Sequence, residues 1–176
     1  METLNENYLQ NCIKEFKGLK ELGDKTFRQI KDEDFFWSPD EESNSIAIIV
    51  RHLSGNMISR WTDFLTTDGE KETRKRDEEF DRLFYTDKDD VISRWEKGWK
   101  CVFDAISGLN EDDLLKEVSI RKQKLTVVEA INRQLTHYGY HIGQIVYIGK
   151  HVESANWKSL SIPRGKSKEF NEKLMK

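Results

Sequence analysis

The sequence predicts an all-α four-helix bundle, and three observations carry that prediction. Apolar residues recur at three- and four-residue intervals rather than alternating, which is the period of a helix face and not of a strand. Proline occurs only at Pro39 and Pro163, so the long stretches between them lack the residue that removes a backbone donor and breaks helices. Four periodic stretches are separated by segments rich in charge or turn residues, in a chain of 176 residues. That length suits a single domain spanning 1–176, able to bury roughly two-thirds of its unfolded surface.

Taken in order, residues 3 to about 30 place Leu9, Ile13, Phe16, Leu19 and Phe27 in one stripe among Lys, Glu and Gln, which predicts the first helix. Residues 32–42 hold Phe35, Phe36, Trp37 and Pro39. The residue before a proline avoids helical dihedrals, so this is an aromatic connection laid over the core. Asn44 and Ser45 are suited to cap a second helix at 46 to about 65, with Ile46, Ile49, Val50, Leu53, Met57 and Trp61 as its stripe and His52 on it. Residues 66–87 open on an Asp-Gly turn and alternate in charge; they read as a solvated loop with one helical turn and no chemistry. The third helix, 88–107, buries Val91, Trp95, Trp99, Val102, Phe103 and Ile106 and stops at Gly108. Its tryptophan pair reads as core rather than as a ligand box. A short capped turn within 110–118 leads to the run at 121–124, an exposed link or a small hairpin. Thr126 with Glu129 three residues on is a capping box that starts the fourth helix. Beyond Gly149, Trp157, Leu160 and Ile162 anchor a tail that turns at 163–165 and ends in a short helix.

Composition narrows the function. The 29 Lys and Arg against 32 Asp and Glu give a net charge of −3, which argues against nucleic acid as the partner. Cys12 and Cys101 belong to no CxxC pair and suggest free thiols in a reducing compartment. The polar, acidic first ten residues are unlike a secretory signal, and no apolar run approaches the ~20 residues of a membrane span. The expectation is a soluble, cytoplasmic protein.

The most informative stretch is 133–150, RQLTHYGYHIGQIVYIGK, with no charged residue between Arg133 and Lys150 in a chain that is 35% charged. Such a helix expects burial on most of its circumference, and its histidines therefore need partners. At ~100° per residue His137 and His141 lie about 40° apart, close enough to share one metal ion. Gln144 shares their stripe. Leu135, Gly139, Ile142, Gly143 and Val146 lie opposite, where the two glycines would let another backbone approach. His52 sits mid-helix in the second helix with Asn56 one turn on. If that helix faces the fourth, three imidazoles converge on one point with positions left open. His151 lies roughly 15–20 Å along the axis from the pair and cannot join them. A lone histidine on a packed helix is more often a satisfied core residue than a ligand, and Tyr138 stands where a zincin would carry its glutamate.

Three features together bear a resemblance: HxxxH on the last long helix, one histidine within RHLSGN on the second, and a four-helix length. They are similar to the DinB/YfiT-like metal-binding bundle superfamily. The tail Trp157…Ile162-Pro163-Arg164-Gly165-Lys166-Ser167…Phe170-Asn171 resembles a bacterial branch of it described as a domain of unknown function. The resemblance covers essentially the whole chain. It implies an up-down-down-up bundle, often a homodimer, in which His52, His137 and His141 bind a divalent metal: zinc or nickel, with manganese or iron as alternatives. Its characterised members include transferases and isomerases using bacillithiol, mycothiol or glutathione, and proposed metal-dependent hydrolases. A three-histidine metal with an open position activates either a thiol or a water. Asp63, eleven residues past His52, lies about 16 Å along the helix, too far to serve as a base, which favours the thiol. The expected function is therefore a bacillithiol-type S-transferase acting on small electrophiles in detoxification or stress. A metal-dependent hydrolase is the rival, and a non-enzymatic metal-binding or interaction bundle a third reading. Asn56 and Gln144 are candidates to support the ligands or orient substrate. Arg164 and Lys166 would hold an anionic group if the tail folds over the open end, and are ordinary surface charges if it does not.

Overall fold

A helix needs its first N–H groups satisfied and one face buried, and each long helix of this chain meets both conditions. The structure, a computed structural model, describes residues 2–81 and 87–175. Helix α1 (Leu4–Phe27) begins at Thr3 and α4 (Val127–Glu153) at Thr126, each with a reciprocal capping box through Glu6 and Glu129. Ser45 caps α2 (Ile46–Trp61), and Asp87 caps α3 (Lys88–Ser107) by accepting from the backbone N–H of Asp90. Such caps stabilise a helix by about 0.5–2 kcal/mol each. A short α5 (Ser167–Leu174) closes the chain. Helices α1 and α2 end three to four residues before the periodicity suggests; just past α2, Asp63 takes φ 48° and turns the chain. Of the two readings of 121–124 the hairpin is the one adopted. β1 (Glu117–Ile120) pairs antiparallel with β2 (Gln123–Thr126) across Arg121 and Lys122, both at positive φ.

Side-chain contacts fix the helix directions. Helices α1 and α4 run the same way: the Tyr8 hydroxyl donates to Asn132 Oδ1 at 2.9 Å near their starts, and Thr26 packs on Gly149 near their ends. Helices α2 and α3 are also parallel. Gly98 lies against Ser54 and Met57, where an added Cβ would fall 3.0 Å from both, and Thr62 Oγ1 is 3.5 Å from Cys101 Sγ. The two pairs oppose each other. Phe27 packs on Trp95 at 5.1 Å and Phe16 on Trp99 at 6.3 Å between α1 and α3, and Trp61 Nε1 donates to Tyr138 Oη at 3.0 Å between α2 and α4. The bundle is up-down-down-up. Its centre is aromatic, with Phe16, Trp95, Trp99 and Tyr138 essentially without exposed surface. Phe35 of the aromatic connection is buried over it as well.

Parallel neighbours cannot be joined by a tight turn, so the chain leaving α2 has to travel back along that helix, ~24 Å for 16 residues. It does so in steps. Ser59 Oγ donates to Gly69 O at 2.8 Å, the Glu79 carboxylate rests on Gly55, and Arg51 Nη1 donates to Asp81 O at 3.4 Å. The described part of this stretch, 66–81, is therefore not wholly a solvated loop, since Gly69 and Glu79 are buried, while 82–86 of the expected loop lie outside the described residues. The one turn expected there is a 3-10 turn, Asp77–Phe80, and Glu79 within it is 6% exposed.

Helix α4 also departs from expectation. Ile142 is core and Leu135 and Val146 pack against it, but Gly139 and Gly143 face open space and Tyr140 and Tyr147 are exposed. Among the described residues no backbone approaches the glycines, and the uncharged run is buried on only part of its circumference.

Asp68 ties the crossover to the hairpin. Its carboxylate accepts from Ser119 Oγ at 2.6 Å and from the backbone N–H groups of Glu70, Lys122 and Arg121 at 2.7, 2.8 and 2.9 Å. Burial pushes its pKa up, but these four donors outweigh burial and hold the carboxyl well below the usual range. Because the folded value lies below the unfolded one, the stabilisation is present above the unfolded pKa, ~3.9, and is lost as pH falls toward the folded one. Asp68→Ala is expected to lose about 1–3 kcal/mol at neutral pH. In thermal melts the gap to wild type should be full at pH 7 and narrow below about pH 4.

Candidate metal centre

The antiparallel crossing of α2 and α4 sets His52 opposite His137 and His141, which stand one turn apart on α4. The three rings lie 4.9 to 5.3 Å apart between centroids, and each offers a nitrogen such that all three lie within 4.8 Å of one another. His52 Nε2 is 3.3 Å from His137 Nε2. Two nitrogens bound tetrahedrally to one ion at ~2.0–2.1 Å would be about 3.3–3.4 Å apart. His52 is buried and the other two are half-buried. The three expected ligands are thus brought together, and His151 is elsewhere, stacked on Trp37 at 5.0 Å.

Two of the rings are held by their far nitrogens. His52 Nδ1 donates to Glu79 Oε2 at 2.9 Å, and His141 Nδ1 donates to Gln144 Oε1 at 2.8 Å. Each bond places a proton on Nδ1 and turns a lone pair on Nε2 toward the cluster. Glu79 is itself fixed by Arg74, whose Nε donates to Oε1 at 2.8 Å and Nη2 to Oε2 at 2.9 Å. Burial would raise the Glu79 pKa, but the bonds from His52 and Arg74 and the Arg74 charge keep it below the ordinary carboxylate value. His137 is pushed down to about 3, first by burial and then by repulsion from His141, His52 and the nearby arginines. His141 is pushed down to about 4 by burial, against the opposing pull of Gln144, with His52 adding to the fall. These two rings are neutral at pH 7 and present lone pairs rather than charge. Imidazole nitrogens converging with no competing donor fit a divalent ion of the zinc, nickel or iron kind.

Beside the cluster opens a cavity of about 500 Å³ lined by His52, His137, Asn56, Gln134, Thr136, Tyr140 and five arginines: Arg60, Arg74, Arg76, Arg121 and Arg133. Among the described residues no carboxylate lines it. Gln144 takes the expected supporting place behind a histidine. Asn56 lines the cavity but accepts from Tyr138 Oη at 3.2 Å rather than touching a ligand ring. Arg164 and Lys166 are not in the lining, and Lys166 pairs with Glu169 at 3.0 Å in the exposed tail. Sequence reasoning missed Glu79 and Arg74, which look like ordinary members of a charged run. Phe80 was the available signal, since an aromatic among charges has to pack somewhere; its ring lies 5.2 Å from that of His52.

Gly55 makes the Glu79 contact possible. A Cβ there would overlap the Glu79 carboxylate, so this mid-helix glycine is kept although alanine is better by about 1 kcal/mol in helix propensity. Gly55→Ala is expected to lower stability by ~1–3 kcal/mol and to weaken metal retention by ~10–100-fold through loss of the His52 orientation. Elemental analysis and melts of the variant check both; unchanged metal retention would mean that Glu79 does not orient His52.

Comparison with curated proteins finds no match. A family model matches residues 3–166, nearly the whole chain, and the chain belongs to that family, which is described as a protein of unknown function (DUF1572).

Proposed function

We propose that the protein is a divalent-metal-dependent enzyme of the DinB/YfiT-like kind, a bacillithiol-type S-transferase that joins a small thiol to an electrophile. The observation that supports this best is the arrangement of His52, His137 and His141 around one point, with His52 steadied by the buried Glu79. When bound, a divalent ion with an open position lowers the pKa of a thiol or a water and so supplies a nucleophile at neutral pH. The residues contribute placement and polarity. Gln144 and Glu79 hold two of the imidazoles, and Phe80 and Tyr140 cover rings of the cluster at 5.2 and 4.3 Å.

Thiol is favoured over water because a hydrolase needs a base to move the water's proton, and among the described residues no carboxylate lines the cavity. Glu79 is occupied on both oxygens by His52 and Arg74. The same reading takes zinc or nickel as the ion and a second copy of the chain as partner. It also takes a reducing cytoplasm as the setting, consistent with Cys12 and Cys101 both being free.

Untagged protein is expected to carry about one divalent ion per chain by elemental analysis, and His52→Ala to lose most of it. The metalloprotein should then consume monochlorobimane in the presence of a small thiol, with the rate abolished by metal removal or by His137→Ala. Ester or phosphoester turnover without thiol would replace the transferase with a hydrolase. Silence in every assay, with a collapse of melting temperature on metal removal, would make the ion structural.

A further inference from the structure

The cavity beside the histidines has a composition that the metal does not explain. The chain contains ten arginines and nineteen lysines; five of the arginines line this one cavity, and no lysine does. They arrive from four separate stretches: Arg60 from α2, Arg74 and Arg76 from the crossover, Arg121 from the hairpin and Arg133 from α4. The chain as a whole is acidic, with 32 Asp and Glu, yet none of the described ones is in the lining. Three of the arginines are paired with carboxylates. Arg60 and Arg121 each reach Glu70 at 3.0 Å, and Arg74 binds Glu79. Arg76 and Arg133 have no carboxylate partner among the described residues; Arg76 lies over the Phe80 ring at 5.4 Å.

Two further polar groups are unmet within the same wall. Gln134 is 3% exposed and its Oε1 accepts no hydrogen bond among the described residues, and Arg60 is 5% exposed with its Nε donating none there. Buried polar atoms are almost always paired, with protein, water or a bound molecule, so a polar ligand in the cavity would complete these two. A planar guanidinium recognises two oxygens at once, which a lysine ammonium does not.

We infer that the cavity is an oxyanion site, taking a small substrate that carries a phosphate or carboxylate group held by Arg76, Arg121 and Arg133, with a hydroxyl or amino hydrogen directed at Gln134. A volume of about 500 Å³ suits a small molecule. The anion-holding role that the sequence suggested for Arg164 and Lys166 is thereby carried by other cations. The inference rests on the metal-site reading only in setting this anion beside the nucleophile.

The test is calorimetric titration of the purified full chain with inorganic phosphate and with citrate, against chloride at matched ionic strength. Wild type, Arg76→Gln, Arg133→Gln and Arg164→Gln are compared, each with its metal content measured. One phosphate or citrate per chain is expected, weakened about tenfold or more in Arg76→Gln and in Arg133→Gln, and unchanged in Arg164→Gln. Whichever of the two anions binds tighter identifies the group. Arg76 and Arg133 are exposed and have no carboxylate partner among the described residues, so the cavity variants should fold and keep their metal. Binding no tighter than chloride, or equal in wild type and both cavity variants, overturns the inference even if the metal is present. Binding that depends on Arg133 in a wild-type protein found to carry no metal and to bind none when it is added upholds it while the metal reading falls.

Discussion

The structure depends on one carboxylate in a place where carboxylates are seldom found. Glu79 sits in the interior between His52 and Arg74, and a charge removed from water is tolerated only with close partners on each oxygen. Those partners exist because several otherwise unrelated features agree. Gly55 leaves the space, Arg74 supplies a planar fork, and His52 turns Nδ1 outward. The consequence runs in both directions. The crossover is fastened to α2 by the carboxylate, and the imidazole is fixed in the one orientation that directs its lone pair at the other two histidines. Removing a partner from such a buried arrangement typically costs about 3–5 kcal/mol, so the fold and the centre are held by the same contact.

Topology explains why the carboxylate comes from a connection rather than from a helix. With α2 and α3 parallel and adjacent, the segment between them has to run the length of the bundle, and it can reach the α3 start only by passing the middle of α2. That middle is where His52 lies. A bundle of successive antiparallel helices with short turns would bring no such segment past the histidines. The long crossover therefore supplies Glu79 to His52, Arg74 to Glu79 and Arg76 to the cavity, while Asp68 near its start docks the hairpin that contributes Arg121.

Charge is sorted accordingly. Glu70 pairs with Arg60 and Arg121 and Glu79 with Arg74, while Arg76 and Arg133, in the same lining, have no carboxylate partner among the described residues. The histidine cluster and a cationic wall meet at one cavity, so a nucleophile generated at the centre would face a substrate held by its negative group. The exposed side of α4 has neither charge nor a packed partner over Gly139 and Gly143, although the Tyr140 ring at its edge covers His141.

What the sequence determined by itself was whatever local periodicity and capping can encode. The four helices, the caps at Ser45 and Thr126, the aromatic stripe of α3 and the three histidines were all legible, because each depends on residues within a turn or two of one another. The convergence of His52 with His137 and His141 needed one further assumption, that α2 faces α4, and the structure supplies it. Only the tertiary structure decided which charges mattered. Glu79 is one acid in a run of acids, Arg76 and Arg133 resemble any surface arginine, and the glycines of α4 look made for packing but face open space. Burial, not residue type, turns a solvated charge into an orienting one, and burial is set by which segments the topology brings together across the chain.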